Sequence, residues 1–190
     1  MDYTTEIKGH VLEFIDDEHT YLVDGIILPS ITGIVGQANP DKYKGIDKET
    51  LKRAADKGTA VHEAIEMYIR EGKESDLPEL RNFKFLMKHY GFKPYDVEVP
   101  VILFKGDEPY AAGRLDLVLE MDGKIGGADI KRTSALDKDY LAYQLNLYRI
   151  AYRQSYDIEW EFLRGIWLRD DTRKFVEIPI VEELAEGLLV

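Results

Sequence analysis

The chain has 190 residues, the size of one domain with its own core, and we expect a single domain over residues 1–190. It contains no cysteine, which excludes disulfides and zinc sites built on thiolates. Its 25 Lys and Arg against 36 Asp and Glu give a formal charge of −11, which argues against a uniformly basic surface that coats nucleic acid. The first residues lack the order of a signal peptide, and no apolar run approaches the roughly 18 residues of a membrane span. We therefore expect a soluble cytoplasmic protein with no membrane partner.

The first half of the sequence predicts a β-hairpin followed by helices. Two runs rich in apolar residues flank a polar turn between residues 11 and 25. Ser30 and Asp47 can cap the first amides of a helix, and Gly72 and Gly91 are typical of helix ends. The expected segments are a short helix over 31–36, a loop over 37–45, a long helix over 47–70 and a helix over 80–90.

The second half predicts a meander of three strands over 97–132, with breaks at 106–109 and at a turn over 121–123. A long helix over 136–156 follows, with Ser134 and Asp137 spaced as a capping pair. Strands over 160–168 and 174–180 and a short acidic helix over 182–188 complete the order. This order predicts an α/β fold of the mixed α+β kind, in which a central mixed sheet is flanked by helices and preceded by a β-hairpin.

Two acidic runs of the meander carry the main functional signal. Asp116 ends Gly113-Arg114-Leu115-Asp116, Asp129 begins Asp129-Ile130-Lys131, and a hairpin at 121–123 would bring both carboxylates side by side. Asp129 and Lys131 share one face of their strand, whereas Ile130 offers its backbone carbonyl. The alternative is a charge at a strand end and a surface ion pair. Because buried, unpaired charges are costly, three of them in apolar strands favour a shared divalent cation such as Mg²⁺.

His62 lies on the predicted long helix in one stripe with Gly58 and Glu66, which stand four residues before and after it. It is a candidate metal ligand or phosphate contact, and the alternative is a histidine hydrogen-bonded within the helix packing. A glycine inside a helix costs roughly 1 kcal/mol relative to alanine, so Gly58 suggests that something packs or passes close. A zinc-protease motif is rejected, since it needs a second histidine where Glu66 stands.

Four more residues are candidates for lining the site. Gln144 and Tyr148 share one face of the helix over 136–156, where the alternative for both is core packing, although a buried amide needs partners. Glu98 belongs to the same meander as the two aspartates. Arg132 belongs to a group of basic residues in the last third that would form a local basic cleft on an acidic body.

In chain order, Gly58-x-x-x-His62, Gly113-Arg114-Leu115-Asp116, Asp129-Ile130-Lys131 and Gln144-x-x-x-Tyr148 resemble the motifs of the PD-(D/E)XK nuclease superfamily, in its branch of RecB-type and phage exonuclease-like domains. The resemblance implies a restriction-endonuclease-like core. It also implies that His62, Asp116, Asp129 and the Ile130 carbonyl hold Mg²⁺ or Mn²⁺. Asp116, Asp129 and Lys131 would then be catalytic, and Gln144 and Tyr148 would line the site.

The expected function is a divalent-metal-dependent DNA nuclease. The resemblance adds that it is an exonuclease of phage-type recombination or DNA processing, in a bacterial or phage-infected cell, with a single-strand annealing or other recombination protein as partner. Such a partner, or a ring-shaped homo-oligomer, would supply the DNA grip that an acidic chain lacks. Two other classes stay open. One is a nuclease-like DNA- or protein-binding module without catalytic activity, which the net charge favours, and the other is a metal-dependent hydrolase of another phosphate ester.

Overall fold

The computed structural model of the chain describes residues 2–40, 45 and 47–187. Within them the fold is mixed α+β, as predicted, with a four-stranded sheet, a five-stranded sheet and packed helices. The elements are β1 (Tyr3–Ile7), β2 (His10–Ile15), β3 (Thr20–Val23), β4 (Ile26–Leu28), α1 (Ile31–Ala38), α2 (Lys48–Glu71), α3 (Pro78–Tyr90), β5 (Lys93–Lys105), β6 (Glu108–Met121), β7 (Lys124–Lys131), α4 (Lys138–Tyr156), β8 (Phe162–Leu168), β9 (Arg173–Ile178) and α5 (Glu182–Glu186). The predicted loop over 37–45 and the predicted helix end at 188 lie partly outside the described residues.

The N-terminal sheet is an antiparallel meander in the order β1-β2-β3-β4. Its middle pair, β2 and β3, is the predicted hairpin, and β1 and β4 extend it on either side. Gly9 and Gly25 turn the chain between strands with positive φ angles, which glycine adopts without strain. The buried side of this sheet packs on Ile102 of β5 and Ala112 of β6, so it sits against the larger sheet.

The central sheet has the order β5-β6-β7-β8-β9, and the predicted meander forms its first three strands. All neighbours are antiparallel except β7 and β8, which are parallel because α4 connects them. Asp122 and Gly123 form the turn between β6 and β7, both with positive φ, as a two-residue hairpin of type I′ requires. This turn fixes the register that brings Asp116 next to β7.

Capping side chains mark the starts of α2 and α4. Asp47 accepts hydrogen bonds from the amides of Glu49 and Thr50 at the start of α2, and Gly72 ends that helix in the left-handed conformation. The prediction for the start of α4 is corrected: Asp137 alone caps this helix, by accepting from the Tyr140 amide, and Ser134 lies in the preceding loop.

The two faces of the central sheet are covered by different helices. Helix α4 packs on one face with side chains such as Leu145 and Tyr148, and α2 and α3 cover the other with Ile65 and Phe83. Burial of these apolar faces is the main stabilising contribution to such a layered fold. No helix in the described part of the chain is both long and apolar enough to cross a membrane.

Candidate metal centre

A change of side-chain direction in β5 and β6 creates the acidic part of the site. Glu98 of β5 and Asp116 of β6 lie opposite each other. The residue pairs on either side of them point into different hydrophobic cores. The pairs are Val97–Leu117, in the core under α2 and α3, and Val99–Leu115, in the core under α4. Regular alternation would place residues two apart on one face, so both strands are irregular here. Glu98 also has a φ of 52°, a left-handed conformation that is strained for glutamate and typical of functional sites.

Three side chains from three elements converge at this irregularity. Nδ1 of His62 lies 3.6 Å from Oε1 of Glu98 and 3.6 Å from Oδ1 of Asp116. The atoms of these three residues that could coordinate a metal all lie within 4.8 Å of one another. The two carboxylates are only 11% and 15% exposed, so they are held largely out of water.

His62 is fixed from the opposite side of its ring. Its Nε2 lies 3.1 Å from the carbonyl oxygen of Ile130, and because a carbonyl only accepts, this nitrogen carries a proton. Burial by itself lowers the pKa of His62, but the charges of Asp116 and Glu98 outweigh it and raise the pKa to about 9. In the metal-free protein His62 is therefore a cation at neutral pH, with Nδ1 directed at two carboxylates.

Asp116 is held by the backbone of the neighbouring strand. The β6–β7 ladder ends at the pair Leu117–Ala128, and Oδ2 of Asp116 then accepts the Ile130 amide at 2.7 Å. Burial and the charge of Glu98 raise the pKa of Asp116, although His62 opposes the shift. A hydrogen bond to the main chain thus orients one carboxylate oxygen and leaves Oδ1 facing His62.

Asp129, Lys131 and Gln144 form a second group beside the first. Lys131 Nζ donates to Asp129 Oδ1 at 3.0 Å and to Gln144 Oε1 at 3.2 Å, and Gln144 Nε2 donates to Asp129 Oδ1 at 2.6 Å. The predicted common face of Asp129 and Lys131 is observed, with the Ile130 side chain in the opposite core. The buried amide of Gln144 is satisfied by both charged partners, which is the role that its place in an apolar helix required.

One oxygen of Asp129 keeps unused acceptor capacity. Oδ2 lies 2.8 Å from Lys131 Nζ as an ion pair, yet it has no hydrogen-bond partner among the described residues, and the side chain is 4% exposed. Burial and the charge of Asp116 raise the pKa of Asp129 to about 6 against the effect of Lys131. For Lys131, burial lowers the pKa but Asp129 and Asp116 outweigh it, so its pKa is raised and Nζ stays protonated.

The first group fits a small divalent cation. Mg²⁺ binds oxygen ligands at about 2.1 Å in an octahedron, so ligand atoms on opposite sides of the ion lie about 4.2 Å apart. The atoms of His62, Glu98 and Asp116 that could coordinate a metal lie within 4.8 Å of one another, which is close to this spacing. The group differs from the predicted ligand set. It contains Glu98, which the sequence offered only as a lining residue, and it does not contain Asp129, which is ion-paired to Lys131. The Ile130 carbonyl, also a predicted ligand, accepts the hydrogen bond of His62.

Tyr148 supports the strand that carries the site rather than the ligands themselves. Its hydroxyl donates to the carbonyl oxygen of Arg114 at 3.1 Å, and its ring lies over Gly113. A Cβ at Gly113 would come within 2.9 Å of the Tyr148 hydroxyl oxygen and 3.3 Å of Ile31. The glycine of the Gly113–Asp116 run is therefore required by close packing of α4 on β6.

Arg114 is a site residue that the sequence analysis did not select. Its Nε lies 2.7 Å from Oε2 of Glu98, and its guanidinium stands over the rings of Tyr3 and Phe14 in the N-terminal sheet. The position of Arg114 in the same run as Asp116 was visible in the sequence. Its partner was not, because Glu98 turns toward it only through the irregularity in β5.

Two expectations about residues around the site are wrong. Arg132 does not line this site: its Nε lies 2.7 Å from Glu79 Oε1 and its Nη2 lies 2.8 Å from Asp170 Oδ1, because consecutive residues at a strand end point in opposite directions. A Cβ at Gly58 would meet nothing within 4 Å among the described residues, so the packing that we expected at this glycine is absent there.

No family model matches the sequence, and no curated protein matches it. Among solved structures, the chain is similar to one titled "Crystal structure of SSO0001", with 19% sequence identity and a TM-score of 0.45. The aligned region covers 84% of this chain and 74% of the other.

Proposed function

We propose that this protein is a divalent-metal-dependent nuclease that hydrolyses phosphodiester bonds in DNA. The observation that carries the proposal is the convergence of His62, Glu98 and Asp116 beside a buried Asp129–Lys131 pair. A cluster of three ligands next to a protonated lysine combines a cation site with a fixed positive charge. Both features suit a reaction in which negative charge develops on a phosphate.

The residues divide into two roles. His62, Glu98 and Asp116 would hold Mg²⁺ or Mn²⁺, with the Ile130 carbonyl next to His62 and the charge of Asp129 acting on both His62 and Asp116. The bound cation would lower the pKa of a coordinated water and offset the charge of a phosphate oxygen. Because the charges of Asp129 and Asp116 hold Lys131 protonated, its Nζ would orient the attacking water and stabilise developing charge instead of removing a proton.

The finer assignment rests on the motif resemblance. We propose an exonuclease that acts in phage-type recombination or DNA processing, with a single-strand annealing or other recombination protein as partner. The net charge of −11 supports the need for such a partner, or for a homo-oligomer, because phosphate contacts from basic residues supply most non-specific DNA affinity.

The test is cleavage of end-labelled linear duplex and single-stranded DNA with Mg²⁺, with Mn²⁺ or with EDTA. We expect cleavage only with a metal, and a loss of at least about 100-fold in Asp116→Asn and in Lys131→Met. Lys131→Met should keep DNA binding, whereas Asp116→Asn should also weaken metal binding. Glu120→Gln, an exposed position on the same strand as Asp116, is the matched control and should cleave like the wild type.

A nuclease-like binding module is the second candidate. Arg114 at the site is neutralised by Glu98, and Arg132, which was expected to contribute to a basic cleft, is neutralised by Glu79, in a chain that is already acidic. Metal-independent DNA binding without cleavage of either substrate under any metal condition would support this module and contradict the nuclease. Unchanged Mg²⁺-dependent cleavage in Asp116→Asn would show that the active site lies elsewhere.

A further inference from the structure

A row of three side chains leads away from the proposed site across the central sheet. Lys131 of β7 pairs with Trp167 of β8, and Trp167 pairs with Lys174 of β9. Paired residues of adjacent strands point to the same face. This is the face that α4 covers, since Lys131 contacts Gln144 and a Cβ at Gly165 would meet Leu141. The row therefore continues the surface on which Lys131 lies.

Trp167 is partly exposed and held in one orientation. Leu163 and Gly165, which precede it on the same face of β8, are buried, so the ring lies where the cover of this face ends. The indole Nε1 donates to the carbonyl oxygen of Thr133 at 2.9 Å. A tryptophan fixed at its polar edge presents its ring without the entropy cost of ordering a mobile side chain.

A positive charge stands over the Trp167 ring on one side, and Lys131 lies on the neighbouring strand on the other side. Nζ of Lys174 stands 5.2 Å from the centre of the Trp167 ring, within the range of a cation–π interaction. Neighbouring strands lie roughly 4.8 Å apart, so the backbones of Lys131 and Lys174 are separated by about 10 Å, close to three base-stacking steps of about 3.4 Å. Basic groups that alternate with an aromatic ring are the elements from which single-strand binding sites are built.

We propose that Trp167 is a stacking platform for a nucleobase of single-stranded DNA that leads into the site at Lys131, and that Lys174 contacts its phosphate. The proposal rests on the proposed nuclease function for its substrate and adds the form of that substrate. An unpaired strand exposes the flat faces of its bases, whereas a duplex buries them. The row is one residue wide, which suits a single strand of DNA better than a duplex.

The chain provides its own optical test because it contains two tryptophans. Trp160 is 1% exposed in the core under α4, so only Trp167 can stack on an added base. Titration of the wild-type protein with a short oligo(dT) in EDTA should quench the tryptophan emission. Trp167→Phe, which retains Trp160, should show no quenching. An abasic oligomer of the same length, which offers phosphates without bases, should bind without quenching.

Affinity is measured separately by anisotropy of a labelled oligo(dT). Trp167→Ala should weaken binding about 5- to 150-fold, the range found for the loss of one stacking ring. Lys174→Met should weaken it and flatten its salt dependence, whereas Lys88→Met, an exposed lysine on α3, should do neither. The circular dichroism of each variant checks that it is folded, and Trp167→Leu replaces Trp167→Ala if the latter is not.

Each outcome separates this inference from the proposed function. Metal-dependent cleavage by the wild type without quenching by oligo(dT) overturns the stacking role and leaves the nuclease standing. Quenching that depends on Trp167 without cleavage under any metal condition overturns the nuclease and supports a single-strand binding module. Equal affinity of Trp167→Leu and the wild type for oligo(dT) also overturns the stacking role.

Discussion

Two ion pairs at the end of β7 use consecutive residues of the chain and have different surroundings. Arg132 contacts Glu79 of α3 and the exposed Asp170, and no oxygen of Glu79 is left as a buried unsatisfied acceptor among the described residues. Lys131 contacts Asp129, which keeps an oxygen without a hydrogen bond and has a pKa raised to about 6 by burial and by Asp116.

The difference supports our proposal that the Arg132–Glu79 pair is structural and the Asp129–Lys131 pair functional. A buried ion pair stabilises a fold only when its remaining hydrogen-bonding capacity is satisfied, and the Arg132–Glu79 pair meets this condition. The Asp129–Lys131 pair does not, because a second carboxylate and an unused acceptor lie beside it. That arrangement is unfavourable for the metal-free fold and favourable for a bound cation.

The largest expected effect is a difference in stability between variants that break one pair or the other. Arg132→Met should lower the free energy of unfolding by about 3–5 kcal/mol, because it leaves the buried Glu79 carboxylate without its main partner. Asp129→Asn should change it by less than about 1 kcal/mol, because it also removes the repulsion from Asp116. Urea unfolding in EDTA measures both.

In a cleavage assay the order of the two variants should be reversed, with Asp129→Asn the more impaired. Where Arg132→Met is folded it should cleave like the wild type, whereas Asp129→Asn should lose at least about 100-fold in rate. If Asp129→Asn were the more destabilised variant and kept its cleavage rate, the division between the two pairs would be wrong.

The pH dependence of metal stabilisation sharpens the comparison at the functional pair. In the metal-free protein the raised pKa of Asp129 lowers stability as pH rises from the ordinary value toward about 6. The raised pKa of His62 lowers it further as pH rises from 6.5 through about 9. Mg²⁺ bound by His62 competes with the proton on this ring, so its affinity should rise by up to about tenfold per pH unit between pH 6 and 8.5.

The measurement is the increase in melting temperature that a fixed Mg²⁺ concentration produces at pH 6, 7 and 8.5. The increase should grow with pH in the wild type and in Arg132→Met. In His62→Gln it should be smaller and nearly constant above pH 7, because the competing proton is gone. An increase that is independent of pH in the wild type would contradict the assignment of His62 to the metal group.

The smallest expected effect concerns Tyr148, which supports β6 from α4. Tyr148→Phe removes one hydrogen bond to the Arg114 carbonyl and should cost about 1 kcal/mol of stability. Cleavage should change by less than about tenfold, since the hydroxyl touches neither Asp129 nor Lys131. A loss of cleavage comparable to that of Asp129→Asn, without loss of stability, would move Tyr148 from a supporting to a direct role.

Most of the secondary structure could be predicted because it depends on local chemistry. Asp47 and Gly72 bound α2, and Asp122-Gly123 sets the β6–β7 turn, each through its own backbone or side-chain geometry. The predicted capping pair of Ser134 and Asp137 was wrong in its first member, because α4 begins at Lys138 and Asp137 itself is the N-cap. Strands β1 and β4 were missed, since short strands are stabilised by their neighbours more than by their own sequence.

The candidate site was predictable where its residues share one strand. The spacing of Asp129 and Lys131 guarantees a common face, and α4 follows β7 closely enough to bring Gln144 back to them. The same alternation should have excluded Arg132. Its charge alone suggested a cleft, but its partner Glu79 lies 53 residues away on another helix.

The sequence by itself determined the two acidic runs, the turn between them and the helix caps, because each depends on residues within a few positions of one another. Only the tertiary structure decided which carboxylates meet. Glu98 joins His62 and Asp116 because β5 and β6 change face at the same level, and its left-handed backbone is stabilised by contacts on both sides of the sheet. Such an irregularity depends on how two cores and three elements fit together, and no local pattern of residues specifies it.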